Sequence, residues 1–112
     1  MTQRTDWRRN SKRIDDYIAV SIDESIAEML GGAVVDSFFI HLNEQGISRK
    51  DAPKKVALFC SLLDETFGIQ SKAIQRNIAK RLFDKLGLII TLDEDKQLIE
   101  YVREAKEKMT HD

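Results

Sequence analysis

Between its glycines this chain repeats one pattern, apolar residues at i, i+3, i+4 and i+7, and that pattern commits it to helices. Ile22, Ile26, Met29 and Leu30 form the first firm stripe, and Val34/Val35, Phe38/Phe39 and Leu42 the second. Val56, Phe59, Cys60, Leu63 and Phe67 mark the third. Ile74, Ile78, Leu82, Phe83 and Leu86 mark the fourth, and Leu98, Ile99, Val102 and Ala105 a narrower fifth. Gly31-Gly32, Gly46, Gly68 and Gly87 close the stretches, where a residue without Cβ enters the left-handed conformation freely. A lone helix of such length is marginal in water, so the stripes must face each other. The expectation is an all-α compact bundle of about five helices with short connections.

Start signals agree with the stops. Ser21-Ile-Asp-Glu24 and Thr91-Leu-Asp-Glu94 read as capping boxes, Asp51 precedes Ala52-Pro53, and Ser71 is placed to cap the fourth helix. Residues 11–20 read as another helix through Ile14, Tyr17 and Ile18, or as an extended lead-in. The β-prone run Leu88 to Leu92 lacks turn chemistry for a hairpin and reads as a buried connection. With 112 residues the chain is one domain, 1–112, with a flexible basic arm over 1–10 and a frayed tail over 109–112.

No apolar run approaches the roughly 20 residues of a membrane span, and the first 20 residues lack the apolar centre of a signal peptide. One cysteine makes no internal disulfide and no zinc pair, which fits the reducing cytoplasm. Net charge is −1, yet it is strongly patterned: residues 1–13 carry +4, 14–32 carry −5, 49–55 carry +3 and 69–86 carry +4.

Catalytic chemistry is short of parts. Cys60 lies beside Phe59 on an apolar stripe, where a thiol packs as a small hydrophobe with its pKa raised. His41, between Ile40 and Leu42 near a helix end, reads as a structural cap, and His111 lies in the tail. The acidic residues at 23–28 and 93–95 suit helix starts and lack calcium-loop spacing, and no glycine-rich phosphate motif is present. No enzyme, metal or cofactor is expected.

Two interaction readings follow from the residues. Lys72, Arg76 and Lys80, at i, i+4 and i+8, form one basic stripe opposite Ile74, Ile78 and Leu82, with Gln75 and Asn77 nearby to read adenine edges. With the helix before Gly68 and an arm carrying Arg4, Trp7, Arg8, Arg9, Lys12 and Arg13, this outlines a helix-turn-helix nucleic-acid binder. Asp64, where close packing wants a small residue, and Asn77, where an apolar one is expected, count against it, and the plainer reading is that the stripe is the solvated face of a bundle helix. The second reading starts from Phe38-Phe39-Ile40, apolar at three consecutive helical positions, more than one small core readily covers. Either that helix is central or one aromatic meets a partner; on the second, preferred reading Phe38 and Phe39 are contacts of a homodimer, and the acidic 14–32 and basic 69–86 stretches pair within a subunit or across it. A ligand pocket among Phe38, Phe59, Phe67 and Phe83 is a third, weaker option.

The run Ile22-Asp-Glu-Ser-Ile-Ala-Glu-Met-Leu-Gly-Gly, with Phe38 to Leu42, Phe67-Gly68 and Lys80-Arg-Leu-Phe-Asp-Lys-Leu-Gly87, resembles a small helical archaeal module. It is similar to the Nitrosopumilus output domain family of the fifth type, over about residues 20–90. That resemblance implies a binding or signalling role beside signal-receiving domains, with no catalytic residues assigned. This chain holds no phosphoacceptor domain, so it would act alone or with a separate partner protein. The preferred expectation is a cytoplasmic, non-enzymatic, homodimeric helical interaction module linked to signalling output. Nucleic-acid binding through Lys72, Gln75, Arg76 and Lys80 is the alternative.

Overall fold

A computed structural model describes residues 3–48 and 50–110, with side chains placed from Ile14 to Met109 apart from Arg49. It contains α1 (Gln3–Leu30), α2 (Gly32–Glu44), α3 (Val56–Phe67), α4 (Ser71–Leu86) and α5 (Leu98–Thr110), with 3-10 turns at Ala52–Lys54 and Gly68–Gln70. Among the described residues there is no strand, and the all-α bundle expected from periodicity is what forms.

The 28-residue α1 is about 42 Å long at 1.5 Å per residue, which accounts for most of the molecule's 45 Å longest dimension. Its buried face is an unbroken i+4 ladder, Ile14, Ile18, Ile22 and Ile26, joined by fully buried Ser21 and Ser25. Ser21 therefore does not start a helix. It lies in the middle of one, because nothing between Gln3 and Leu30 interrupts the helical pattern. Residues 11–20 are helical, and helix begins at Gln3 where an arm over 1–10 was expected; Met1 and Thr2 lie outside the described residues.

α1 ends at Gly31, whose φ of +100° reverses the chain and whose carbonyl accepts the first amides of α2 from Val34 and Val35. α4 is the central helix, packed chiefly on α1 and also on α3 and α5. It buries Ile74, Ile78, Ala79, Leu82 and Phe83, and burying each of the larger ones, the isoleucines, the leucine and the phenylalanine, contributes about 1.5–3 kcal/mol. Gly87, at φ +69°, terminates it in a Schellman arrangement: Leu88 N–H donates to Phe83 O at 2.8 Å and Gly87 N–H to Asp84 O at 3.1 Å.

Other start signals act elsewhere than expected. Asp51 heads the short 3-10 turn rather than α3, and its carboxylate accepts the Ser48 hydroxyl at 3.0 Å. Thr91 to Glu94 caps nothing, since α5 begins at Leu98. The 88–92 run is an irregular connection with Leu88 and Ile90 half-buried and Ile89 and Leu92 exposed, so it is only partly covered. At the other end α5 continues through Thr110 with Met109 packed against the core, so the fray expected from 109 does not begin there; His111 and Asp112 lie outside the described residues.

Candidate functional site

The residues that the sequence offers for binding gather on α4. Arg81 donates from Nε to Asn77 Oδ1 at 2.9 Å, hydrogen-bonds Glu28 with its guanidinium, and lies 3.5 Å from Glu24. Lys85 Nζ stands 3.0 Å from the same Glu24 oxygen. The acidic stretch of α1 thus meets the basic stretch of α4 inside one subunit, through Glu24 and Glu28 on one helix and Arg81 and Lys85 on the other. The hydrogen bond from Arg81, and then its charge, hold the Glu28 carboxyl below the ordinary range, and the same bond raises the Arg81 pKa. Asn77 explains itself here: it is polar because it holds Arg81 in place.

Lys72, Arg76 and Lys80 are different. Lys72 and Lys80 are exposed, Arg76 is half-buried, and none forms an ion pair among the described residues. A cleft of about 410 Å³ opens beside Lys80, lined also by Arg81, Glu28, Asp84, Leu88 and Ile90. At the two ends of α4 stand the most exposed large apolar side chains among the described residues, Ile69 at 95% and Ile89 at 86%.

Gln75 does not belong to this surface. It is 4% exposed, its Nε2 donates to Ser71 Oγ at 3.0 Å, and its Oε1 accepts the Leu98 N–H at 2.9 Å. Both ends of the amide are engaged in the bundle, and no base edge is within its reach. Ser71 in turn donates to Asp64 Oδ1 at 2.5 Å, so it ties α4 to α3 rather than capping its own helix. Asp64, which counted against a helix-turn-helix, is exposed and closes the α3–α4 turn through this bond.

Phe38 and Phe39 are also withdrawn from any partner. They are 3% and 8% exposed, and the Phe38 ring lies 5.9 Å from Phe59 and 5.2 Å from Phe67, centroid to centroid. The core covers both because α2 lays Val35, Phe38, Phe39 and Leu42 inward. The residue left outside is Ile40, 64% exposed. The same ring packing fills the space of the aromatic ligand pocket, while Phe83 packs separately against Tyr101 at 6.3 Å.

Cys60 is buried, and removal from water pushes its thiol up to about 12, despite nearby Ile99 and Leu98 backbone groups that favour the thiolate. His41 is half-buried in the last turn of α2, with Nδ1 4.0 Å from Glu44. Among the described residues no three His, Cys, Asp or Glu side chains are grouped to hold a metal, and no helix is long and apolar enough to cross a membrane.

The sequence offered the pairing of these two stretches within a subunit without naming its residues, although their signal was there: Glu24/Glu28 and Arg81/Lys85 share the same i, i+4 spacing. The fold and this surface together define an all-α bundle with a charged outer strip on its central helix. Compared with family models, curated proteins and solved structures, the chain matches none.

Proposed function

We propose that this chain is a non-catalytic helical interaction module that works as a homodimer and, as the resemblance to output domains implies, serves a signalling output. The observation that carries this reading is the pair of nearly bare isoleucines, Ile69 and Ile89, that bracket α4. Scattered exposed apolar residues are ordinary, but two of this exposure flanking one unpaired cationic row form a mixed surface of the kind proteins dock on. The Cys60 thiol, buried and protonated at neutral pH, supports a non-catalytic role for the cysteine. Sedimentation velocity over a wide concentration range tests the reading. A mass near twice 12.9 kDa is the expected result, and a strict monomer at millimolar concentration refutes the homodimer.

One observation favours a second reading. Lys72, Arg76 and Lys80 form no ion pair among the described residues while Arg81 and Lys85, on the same helix, do, and the row follows the α3–turn–α4 order of a helix-turn-helix. With Gln75 engaged elsewhere, such a surface would hold phosphates rather than read bases. Anisotropy of labelled duplex and single strand tests it. Affinity must fall steeply with salt and vanish in the K72E/R76E/K80E variant for nucleic acid to stand.

A further inference from the structure

We infer that the Leu88–Leu92 connection is an unpaired strand that joins two copies of this chain by antiparallel β-addition. The inference deepens the homodimer reading and rests on it, since it names the surface through which the copies meet.

The segment is held at both ends. Leu88 N–H is tied to Phe83 O, and at the far end Asp93 N–H donates to the Tyr101 hydroxyl at 2.8 Å, which donates back to Asp93 O at 3.2 Å. Between these anchors Ile89, Ile90, Thr91 and Leu92 make no backbone hydrogen bond with the described residues. From Leu88 to Thr91 exposure alternates as a strand's does: Leu88 and Ile90 are half-buried and line the α4 cleft, while Ile89 and Thr91 face outward, and exposed Leu92 ends the alternation. Leu-Ile-Ile-Thr-Leu is a β-prone run with no internal use for that propensity. Unpaired backbone groups along such a run are a template for another strand.

The occupant follows from symmetry and charge. Residues opposite each other in an antiparallel pair share a face, so the alternation must match inward to inward and outward to outward. A two-fold axis at Ile90 does this for the three central residues, setting half-buried Ile90 against Ile90 and exposed Ile89 against exposed Thr91. Beyond the ladder each chain continues into Asp93-Glu94-Asp95, all exposed. Antiparallel pairing carries that acidic run of the second copy toward the C-terminal half of α4, where exposed Lys80 forms no ion pair among the described residues although Asp84 and Glu28 line the same cleft. By symmetry a second copy offers its unpaired backbone and its acidic run to the first, and receives the same in return.

Proline variants test the contact without touching a bond that the monomer uses. Because narrow and wide pairs alternate, the ladder donors belong either to Ile90 or to Ile89 and Thr91, so I89P and I90P are both made. Wild type, I89P and I90P are compared by sedimentation velocity and by amide exchange at low and high concentration, with helical circular dichroism as the control for folding. The expected result is a wild-type dimer whose 89–92 amides gain protection with concentration. At least one proline variant should keep its helical signal and dimerise about tenfold or more weakly. A dimer that survives both variants unchanged overturns this contact but leaves the homodimer reading intact. A wild type that stays monomeric at millimolar concentration overturns both.

Discussion

Gln75 Oε1 accepts the backbone N–H of Leu98, the first residue of α5, at 2.9 Å, from a helix that lies 23 residues earlier in the chain. The first amides of a helix have no partner within it, and here a side chain of the central helix provides one. Through Ser71 the same amide is linked to Asp64, so one hydrogen-bonded chain joins α3, α4 and α5.

Breaking that chain costs stability rather than binding. Gln75→Ala leaves a buried amide unsatisfied and is expected to lower unfolding free energy by about 1–3 kcal/mol. Ser71→Ala should cost about 1 kcal/mol. Urea denaturation measures both. A Gln75→Ala protein as stable as wild type would show that α5 does not depend on this bond.

Phe38→Ala removes a ring that packs on two others, and is expected to destabilise by about 3–5 kcal/mol. Ile40→Ala, at an exposed position of the same helix, should stay within about 0.5 kcal/mol. Equal effects in thermal unfolding would mean that the inward face of α2 is assigned wrongly.

Cys60 should resist a thiol reagent in the native protein at pH 8 and react once the chain is unfolded. Its folded pKa, about 12, lies above the ordinary 9.0, so the folded state holds the proton longer. The stabilisation is therefore complete below pH 9.0 and is lost as pH rises from there toward 12. Cys60→Ala removes this alkaline loss. Comparing the two proteins' melting temperatures between neutral and alkaline pH isolates it from lysine titration.

At the acid end the sign reverses. Hydrogen bonds from Lys96 (Nζ to Oε1, 2.8 Å) and then from Lys108 hold the Glu104 carboxyl below its ordinary 4.5. The stability it contributes is present above that value and is lost as pH falls through the lowered one. Glu104→Gln should flatten the acid limb of the stability profile between pH 5 and the unfolding region. An unchanged limb would show that these bonds are exchanged for water at no cost.

The cationic row and the ion-paired pair should separate cleanly. K72E/R76E/K80E breaks no ion pair among the described residues and should unfold with the wild type, within about 0.5 kcal/mol. Arg81→Ala loses its contacts to Glu24, Glu28 and Asn77, worth up to about 1 kcal/mol at this exposure. Chemical denaturation in low and high salt distinguishes them, because only the second difference shrinks with screening.

Local periodicity was enough to set the helices and most of the core. Periodicity of 3.6 residues is a local property, and it marked Ile22, Ile26, Phe59, Ile74, Ile78 and Leu82 as buried, with Gly31 and Gly87 as the stops. It misplaced the starts at Ser21 and Thr91, because a capping box is equally compatible with a helix interior or a turn. The employment of the polar side chains came instead from how the helices pack. Gln75 and Lys72 look alike as exposed-face candidates, yet one is engaged by a backbone amide 23 residues away and the other by nothing among the described residues. Such pairing depends on which helices become neighbours and at what distance. Residue spacing along one helix carries no record of that.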